Sequence, residues 1–218
     1  MSIYEIKTIK ITDSLYPILL KEISDPPKVL YYIGNFPPDN LFPLGVVGSR
    51  QSDIYGENVI KHLLTPDLLE KTIIISGLAL GIDAAAHEIS KYTIAVLGTG
   101  LDEASFYPKN NLPLYKEIIK NGGLVISEYP AGTKASAQNF PQRNRIIAGL
   151  SRAVLVIQAK KRSGALITAR LALENGRDVL TVPGSIFNEL SSGPHLLIAQ
   201  GATPITNATE LSEILNLN

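Results

Sequence analysis

Ile73-Ile74-Ile75-Ser76-Gly77-Leu78-Ala79-Leu80-Gly81-Ile82-Asp83 decides the fold of this chain. Three consecutive isoleucines, β-branched and stiff at χ1, read as a short buried strand. The small residues of 76–81 then turn the chain, and 82–90 follows with helical spacing. The same unit recurs in both directions. Apolar runs at 44–47, 93–97, 124–126, 153–158 and 178–182 read as further strands. Helical spacing recurs at 55–64, 112–120, 143–150, 165–174, 196–200 and 208–215.

Strands that are apolar at almost every position, instead of every second one, are covered on both faces, which is the habit of a parallel sheet with crossover helices. The expectation is an α/β, Rossmann-like, doubly wound and mostly parallel sheet over residues 36–218. The first 35 residues differ. A short helix is expected at 14–23, broken by Asp25-Pro26-Pro27 before Val29-Leu30-Tyr31-Tyr32-Ile33, and this stretch is read as an extension packed on the core.

At 218 residues with 45% hydrophobic content, one core can form without staples. There is no cysteine, and His62, His87 and His195 lie too far apart in sequence for a local ligand pair, so neither a metal nor a cofactor is expected. No window reaches the roughly 18 apolar residues of a membrane span, and the N-terminus lacks a continuous apolar run, so a cytoplasmic protein is expected.

Net charge is zero, which alone argues against a polyanion ligand. Its distribution argues otherwise. From Tyr129 to Arg177 there are nine basic residues and one acid, Glu174, while from Asp178 to Asn218 there is no Lys or Arg. The middle of the chain is therefore the candidate polyanion surface.

In an open parallel sheet, ligands bind at the carboxyl ends of the strands, where helix N-termini offer free amides to anions. Small-residue turns fall at those ends: Gly48-Ser49-Arg50, 76–81, Gly98-Thr99-Gly100, Ala131-Gly132-Thr133, Ser163-Gly164-Ala165 and Pro183-Gly184-Ser185. Gly98-Thr99-Gly100 begins like a dinucleotide fingerprint, but Glu103 stands at the third glycine, and no triphosphate loop occurs. Ser76, Asp83 and His87 suggest a hydrolase only superficially. Ser76 is not in a G-x-S-x-G elbow, and Asp83 reads more simply as a first-turn helix acid.

Several long motifs occur in order: Val47-Gly48-Ser49-Arg50; Ser76-Gly77-Leu78-Ala79 with Gly81-Ile82-Asp83 and His87; Ser127-Glu128-Tyr129-Pro130; Phe140-Pro141 with Arg143-Asn144-Arg145; Ser163-Gly164-Ala165; and Gly176-Arg177-Asp178 leading to Val182-Pro183-Gly184. On these the chain resembles the DNA-processing protein A family (DprA, also called Smf) over nearly its whole length from Tyr16. The resemblance implies a non-catalytic protein that binds and protects single-stranded DNA and helps load the recombinase RecA in natural transformation. Carried over by position, the binding rim is Gly48, Ser49, Arg50, Ser76, Gly77, Leu78, Ala79, Gly81, Lys134, Phe140, Arg143, Asn144, Arg145, Ser163 and Gly164. It also implies a homodimer through the C-terminal part, where His195, Leu196, Leu197 and Ile198 stand in the cation-free tail. Two features depart from the family pattern. Ala135 to Asn139 lack the cation that relatives often carry before Phe-Pro, leaving Lys134 as the nearest one, and relatives often continue into a winged-helix domain.

The competing reading is a nucleotide-binding enzyme or sensor related to the lysine-decarboxylase-like phosphoribohydrolases. It needs an early-helix carboxylate, but 164–170 has none and Glu174 arrives a turn later. Within the 143–150 helix, Ile146, Ile147 and Leu150 form the buried stripe. Arg143 falls inside it, where it should meet a buried partner, and Arg145 points away, free to meet DNA.

Overall fold

The computed structural model describes residues 4–217. The chain opens with β1 (Lys7–Lys10), one turn of helix α1 (Ile18–Lys21) and β2 (Val29–Gly34). Strands and helices then alternate: β3 (Phe42–Val47), α2 (Ile54–Leu63), α3 (Pro66–Lys71), β4 (Thr72–Ser76), α4 (Ile82–Glu88), β5 (Thr93–Leu97), α5 (Leu112–Lys120) and β6 (Leu124–Ser127). The second run is α6 (Asn139–Leu150), β7 (Ala153–Val156), α7 (Gly164–Glu174), β8 (Asp178–Thr181), α8 (Ser192–Ala199), β9 (Thr203–Pro204) and α9 (Ala208–Ile214).

The strands form a nine-stranded sheet in the order β1-β2-β6-β5-β4-β3-β7-β8-β9. From β6 to β9 every pair is parallel. β2 pairs antiparallel with β6 and β1 antiparallel with β2, so the opening segment carries the sheet past its β6 edge.

Alternate residues along each strand feed opposite faces. Val47, Ile73, Ile75, Val96 and Val156 pack under α1, α6 and α7, together with Leu20, Ile146, Ile147 and Ala169. Val46, Ile74 and Leu155 pack under α2, α3, α4 and α9, with Ile60, Leu68, Ile82 and Leu211. Toward the β6 edge, Ala95, Leu97 and Val125 meet Leu114, Tyr115 and Ile118 of α5. Ile74 and Ile75 are fully buried, each worth about 1.5–3 kcal/mol of transfer free energy.

Helix starts differ most from the sequence expectation. α6 begins at Asn139 instead of 143, and α8 at Ser192 instead of 196. Both contain a proline in the first turn, Pro141 and Pro194, where the missing amide leaves no helical bond unmade. α3, with Thr65 capping Leu68 N at 3.5 Å and Pro66 opening the helix, was not anticipated, and neither were β1 and the two-residue β9. The helix expected over 14–23 is a single turn, because Pro17 starts it late and the Asp25-Pro26-Pro27 run follows soon after.

The order in which strands are added to the sheet reverses between the parallel β3 and β7. β3 leads through α2 and α3 to β4 on one side, whereas β7, paired with β3 at Val47 and Val156, leads through α7 to β8 on the other. The two outgoing connections part there and leave a crevice above the carboxyl ends of the strands.

Candidate nucleic-acid interface

That crevice holds a cleft of about 890 Å³. β3 supplies Gly48, Ser49 and Arg50, the β4 turn supplies Ala79, α6 supplies Phe140, Arg143 and Asn144, and the α7 entrance supplies Ser163 and Gly164. The structure thus brings together nine residues singled out from sequence. Lys160 and Arg162 add two cations to the same wall.

The rim is held by short-range stapling. Gln158 O accepts the Ser49 amide at 2.7 Å, and Ser49 Oγ accepts the Gln51 amide at 3.1 Å. Asp53 caps α2 through Gly56 N at 3.0 Å and accepts Gln158 Nε2 and Asn188 Nδ2, each at 2.8 Å. These bonds fix the backbone that carries Arg50. Its exposed guanidinium lies 5.1 Å from the Phe140 ring centroid and pairs with no carboxylate among the described residues. Gly81 has φ 75° and closes the β4 turn, where a Cβ would sit 2.3 Å from Ser49 O. That close approach docks the turn after β4 against the turn after β3.

Arg143 forms the floor. It is 4% exposed, and its Nη1 donates to Val96 O at 2.5 Å. Its Nε has no partner among the described residues. Burial lowers its pKa to about 10, against the opposing pull of Asp83. Burial also pushes the Asp83 carboxyl up from its usual range, while Arg143 and the Gly77 amide, donating to Asp83 Oδ2 at 3.1 Å, pull it back. Gly77 is a glycine because a Cβ there would fall 1.9 Å from Arg143 Nη1. Asn144 Nδ2 donates to Gly164 O at 3.2 Å and ties α6 to α7. Ser163 stands at the N-cap of α7 with its Oγ buried and unbonded, beside the free amides of that helix.

Ser76, Asp83 and His87 do not assemble a nucleophile. Ser76 Oγ donates to Val46 O at 2.6 Å, and His87 Nδ1 is bonded to Thr93 Oγ1, also at 2.6 Å. Burial, helped by Arg143, drives the His87 pKa down to about 3. Asp83 is the turn-stapling acid of the first turn of α4.

Several expectations are corrected. Arg145 is not free: its Nη2 donates to both Glu128 oxygens at 2.7 and 2.9 Å and its Nε to Asp25 at 3.0 Å, outside the cleft lining. The side chains of Ser76 and Leu78 are fully buried, so this part of the turn offers only backbone. Gly77 and Gly81 shape the site from beneath, and Lys134 is exposed next to the lining residues Ala135, Ser136 and Ala137 without lining the cleft itself. In the tail, Leu197 is buried in its own chain's core, while His195 reaches Gly184 O at 2.9 Å and Leu196 and Ile198 are half-buried.

The basic count from 129 to 177 also divides. Arg177 holds Leu19 O at 3.0 Å and approaches Glu22 at 3.4 Å, Arg170 pairs with Glu174, and Arg152 lies over Phe42. Lys160 likewise pairs with Glu189 at 2.6 Å, so much of the positive charge answers acids and carbonyls of the fold; of this segment Arg143 and Arg162 line the cleft, joined by Arg50 from the turn after β3. Tyr107, which sequence reasoning passed over, also lines it. Its one signal was a tyrosine before Pro108, in the loop that opens with Gly98-Thr99-Gly100.

Comparison with known proteins bears on this site. The family model for DNA recombination-mediator protein A matches residues 7–216. The chain is 42% identical over 215 residues to DNA processing protein DprA of Bacillus subtilis (strain 168), covering 96% of this chain and 71% of that protein. It superposes on the X-ray structure of DNA processing protein A from Streptococcus pneumoniae with a TM-score of 0.87 at 44% identity, covering 95% of this chain and 73% of that one. A structure of DNA processing protein A from Helicobacter pylori, which concerns that protein's single-stranded DNA binding mode, gives a TM-score of 0.86 at 30% identity, covering 99% and 98%.

Proposed function

The chain belongs to the DNA recombination-mediator protein A family, and from that premise we propose that its cleft binds single-stranded DNA without turning it over. The observation that carries the reading is Arg50: an exposed guanidinium with no acid to answer it among the described residues, lying over Phe140 at the mouth of a cleft that opens at the switch point of the sheet. A cation beside an aromatic face is what a strand of phosphates and bases requires. Arg162 and the entrance of α7 continue the positive wall, beside Lys160, which Glu189 holds at 2.6 Å. Arg143 closes the floor from beneath, its Nε buried and unpartnered among the described residues.

Few bases are read by such a surface, so affinity is to be dominated by phosphates. With about three phosphate contacts, log K falls against log salt with a slope of about −2. Anisotropy titration of labelled oligo-dT, of a matched duplex and of mononucleotides at several salt concentrations tests this. Preference for the single strand with a steep salt slope is expected. Equal affinity for duplex, or a flat slope, removes the reading, and tight mononucleotide binding alone favours a nucleotide sensor.

Protection of incoming strands and help in loading RecA follow from family membership and form part of the proposal, as does a cytoplasmic location. A homodimer through α8 is supported by the half-buried Leu196 and Ile198 of that helix and by the exposed Ile186 and Phe187 in the loop that His195 holds through Gly184 O. Light scattering at tens of micromolar is expected to give the mass of two chains, and a monomer there ends the dimer.

A further inference from the structure

We infer that Tyr107 is a second base-stacking residue, which with Phe140 gives the cleft two aromatic platforms for two successive bases of the strand. The inference rests on the single-stranded DNA reading and adds a residue to it. Tyr107 is 48% exposed, lines the cleft and comes from the loop between β5 and α5, well past its Gly98-Thr99-Gly100 turn and separate from α6. Its ring centroid lies 6.0 Å from that of Phe140, with the planes 53° apart.

An exposed aromatic is by itself ordinary. Tyr107 differs because its loop is anchored on both sides. Phe106, beside it, is buried at 1% exposure and packs on Tyr115 at 4.8 Å. Asp102 accepts the amides of Gly132 at 2.7 Å and Ser105 at 3.0 Å, Lys109 Nζ donates to Glu103 O at 2.7 Å, and Asn111 Nδ2 donates to Leu78 O at 3.0 Å. Phe140 is anchored in turn by its neighbour Asn139, whose Nδ2 donates to Gly98 O at 3.0 Å. Two rings from separate elements are thus held at fixed separation with little side-chain entropy left to lose, the condition under which stacking contributes most.

Arg50 already lies over the Phe140 ring, so Phe140 offers stacking area for one base, and the next base needs another ring. The 53° inclination carries a consequence. Bases stacked on the two rings are themselves inclined and cannot remain stacked on each other, which a flexible single strand accepts and a duplex does not. The pair therefore selects single strands by shape, apart from charge.

The test uses the full chain, labelled oligo-dT and an abasic oligonucleotide of the same length and charge, with Tyr107→Ala, Tyr107→Phe and Phe140→Ala. Tyr107→Ala is expected to bind oligo-dT roughly tenfold more weakly, with an unchanged salt slope and an unchanged melting temperature. Tyr107→Phe should restore affinity, because only the ring is used. On the abasic strand, wild type and Tyr107→Ala should bind alike. Unchanged affinity of Tyr107→Ala for oligo-dT, or an equal loss on both strands, overturns the inference while leaving the cleft a DNA site. Failure of the wild type to bind oligo-dT overturns the functional reading, and the inference with it.

Discussion

Helix α6 carries two arginines two residues apart, and they belong to two different regions of the molecule. On one side Arg143 is sealed beneath the cleft, with Val96 O as its acceptor and Asp83 as the nearest opposing charge. On the other, Arg145 latches the opening segment through Glu128 and Asp25, far enough from the cleft that it lines none of it. The cleft side depends on buried charge that cannot be rehydrated without unfolding. The latch depends on ion pairs whose outer member, Asp25, is 78% exposed. The same residue type in the same motif thus floors the cleft in one place and makes a structural tie in the other, and the acids within reach decide which.

The largest effect should come from the cleft floor. Gly77→Ala places a Cβ where the Arg143 guanidinium sits, 1.9 Å from Nη1, so that this buried side chain must give up its bond to Val96 O. Overpacking together with a displaced buried charge should cost about 3–5 kcal/mol in urea unfolding, and DNA affinity should fall too. A stability loss under 1 kcal/mol would mean that the floor yields.

Next is Arg143→Met, which keeps the volume but leaves Asp83 buried without its counter-charge. A loss of about 3 kcal/mol is expected, with weaker binding of oligo-dT. Asp83→Asn in the same chain should return part of the stability but none of the affinity. If the single variant unfolds like wild type, Arg143 is not the buried partner of Asp83.

The sheet was legible because its strands are apolar at consecutive positions, as in Ile73 to Ile75, and each is followed by small residues. The rim was legible for the same reason, since Gly48, Ser49, Ala79, Ser163 and Gly164 sit at strand ends that any doubly wound sheet gathers on one side. What escaped reading depended on contacts distant in sequence. Arg145 meets Asp25 across 120 positions and Arg177 meets Leu19 across 158. A local charge count saw these arginines as free surface. Helical spacing placed Arg145 opposite the buried stripe correctly, but could not say that an acid-bearing segment covers that face. Tyr107 escaped because a cleft wall drawn from a loop has no periodic signature.

His87, buried in α4 and set against the charge of Arg143, should make the stability respond to acid. His87 has a pKa of about 3 in the fold because burial and Arg143 disfavour its charged form. Once unfolded it regains a value near 6.5. As pH falls through 6.5 the unfolded chain takes up a proton that the folded chain refuses, so the stability present above 6.5 drains away until about pH 3. From pH 7 to 5 this amounts to about 2 kcal/mol. His87→Gln, which cannot titrate and keeps a hydrogen-bonding group for Thr93, should be correspondingly less sensitive in urea unfolding at pH 7, 6 and 5. Equal slopes for the two proteins would show that His87 is not held neutral.

The smallest effect, and the sharpest separation of the two regions, should come from Arg145→Ala. Its partners are Glu128, partly buried, and Asp25, open to water, so the bidentate bond to Glu128 carries most of the interaction. Loss of one partly buried pair and one exposed pair should cost about 1–2 kcal/mol. Because the Asp25 arm is exposed, the cost should shrink as salt rises from 0.05 M to 0.5 M, whereas the cost of Arg143→Met should barely move. Affinity for oligo-dT should stay within about twofold of wild type, since the side chain faces the opening segment and not the cleft, and the binding salt slope should not change. Thermal unfolding and anisotropy on the one variant read both quantities. A tenfold loss of affinity with a shallower salt slope would place Arg145 on the DNA after all, swung free of Glu128, and the division of α6 into a binding face and a latching face would fall.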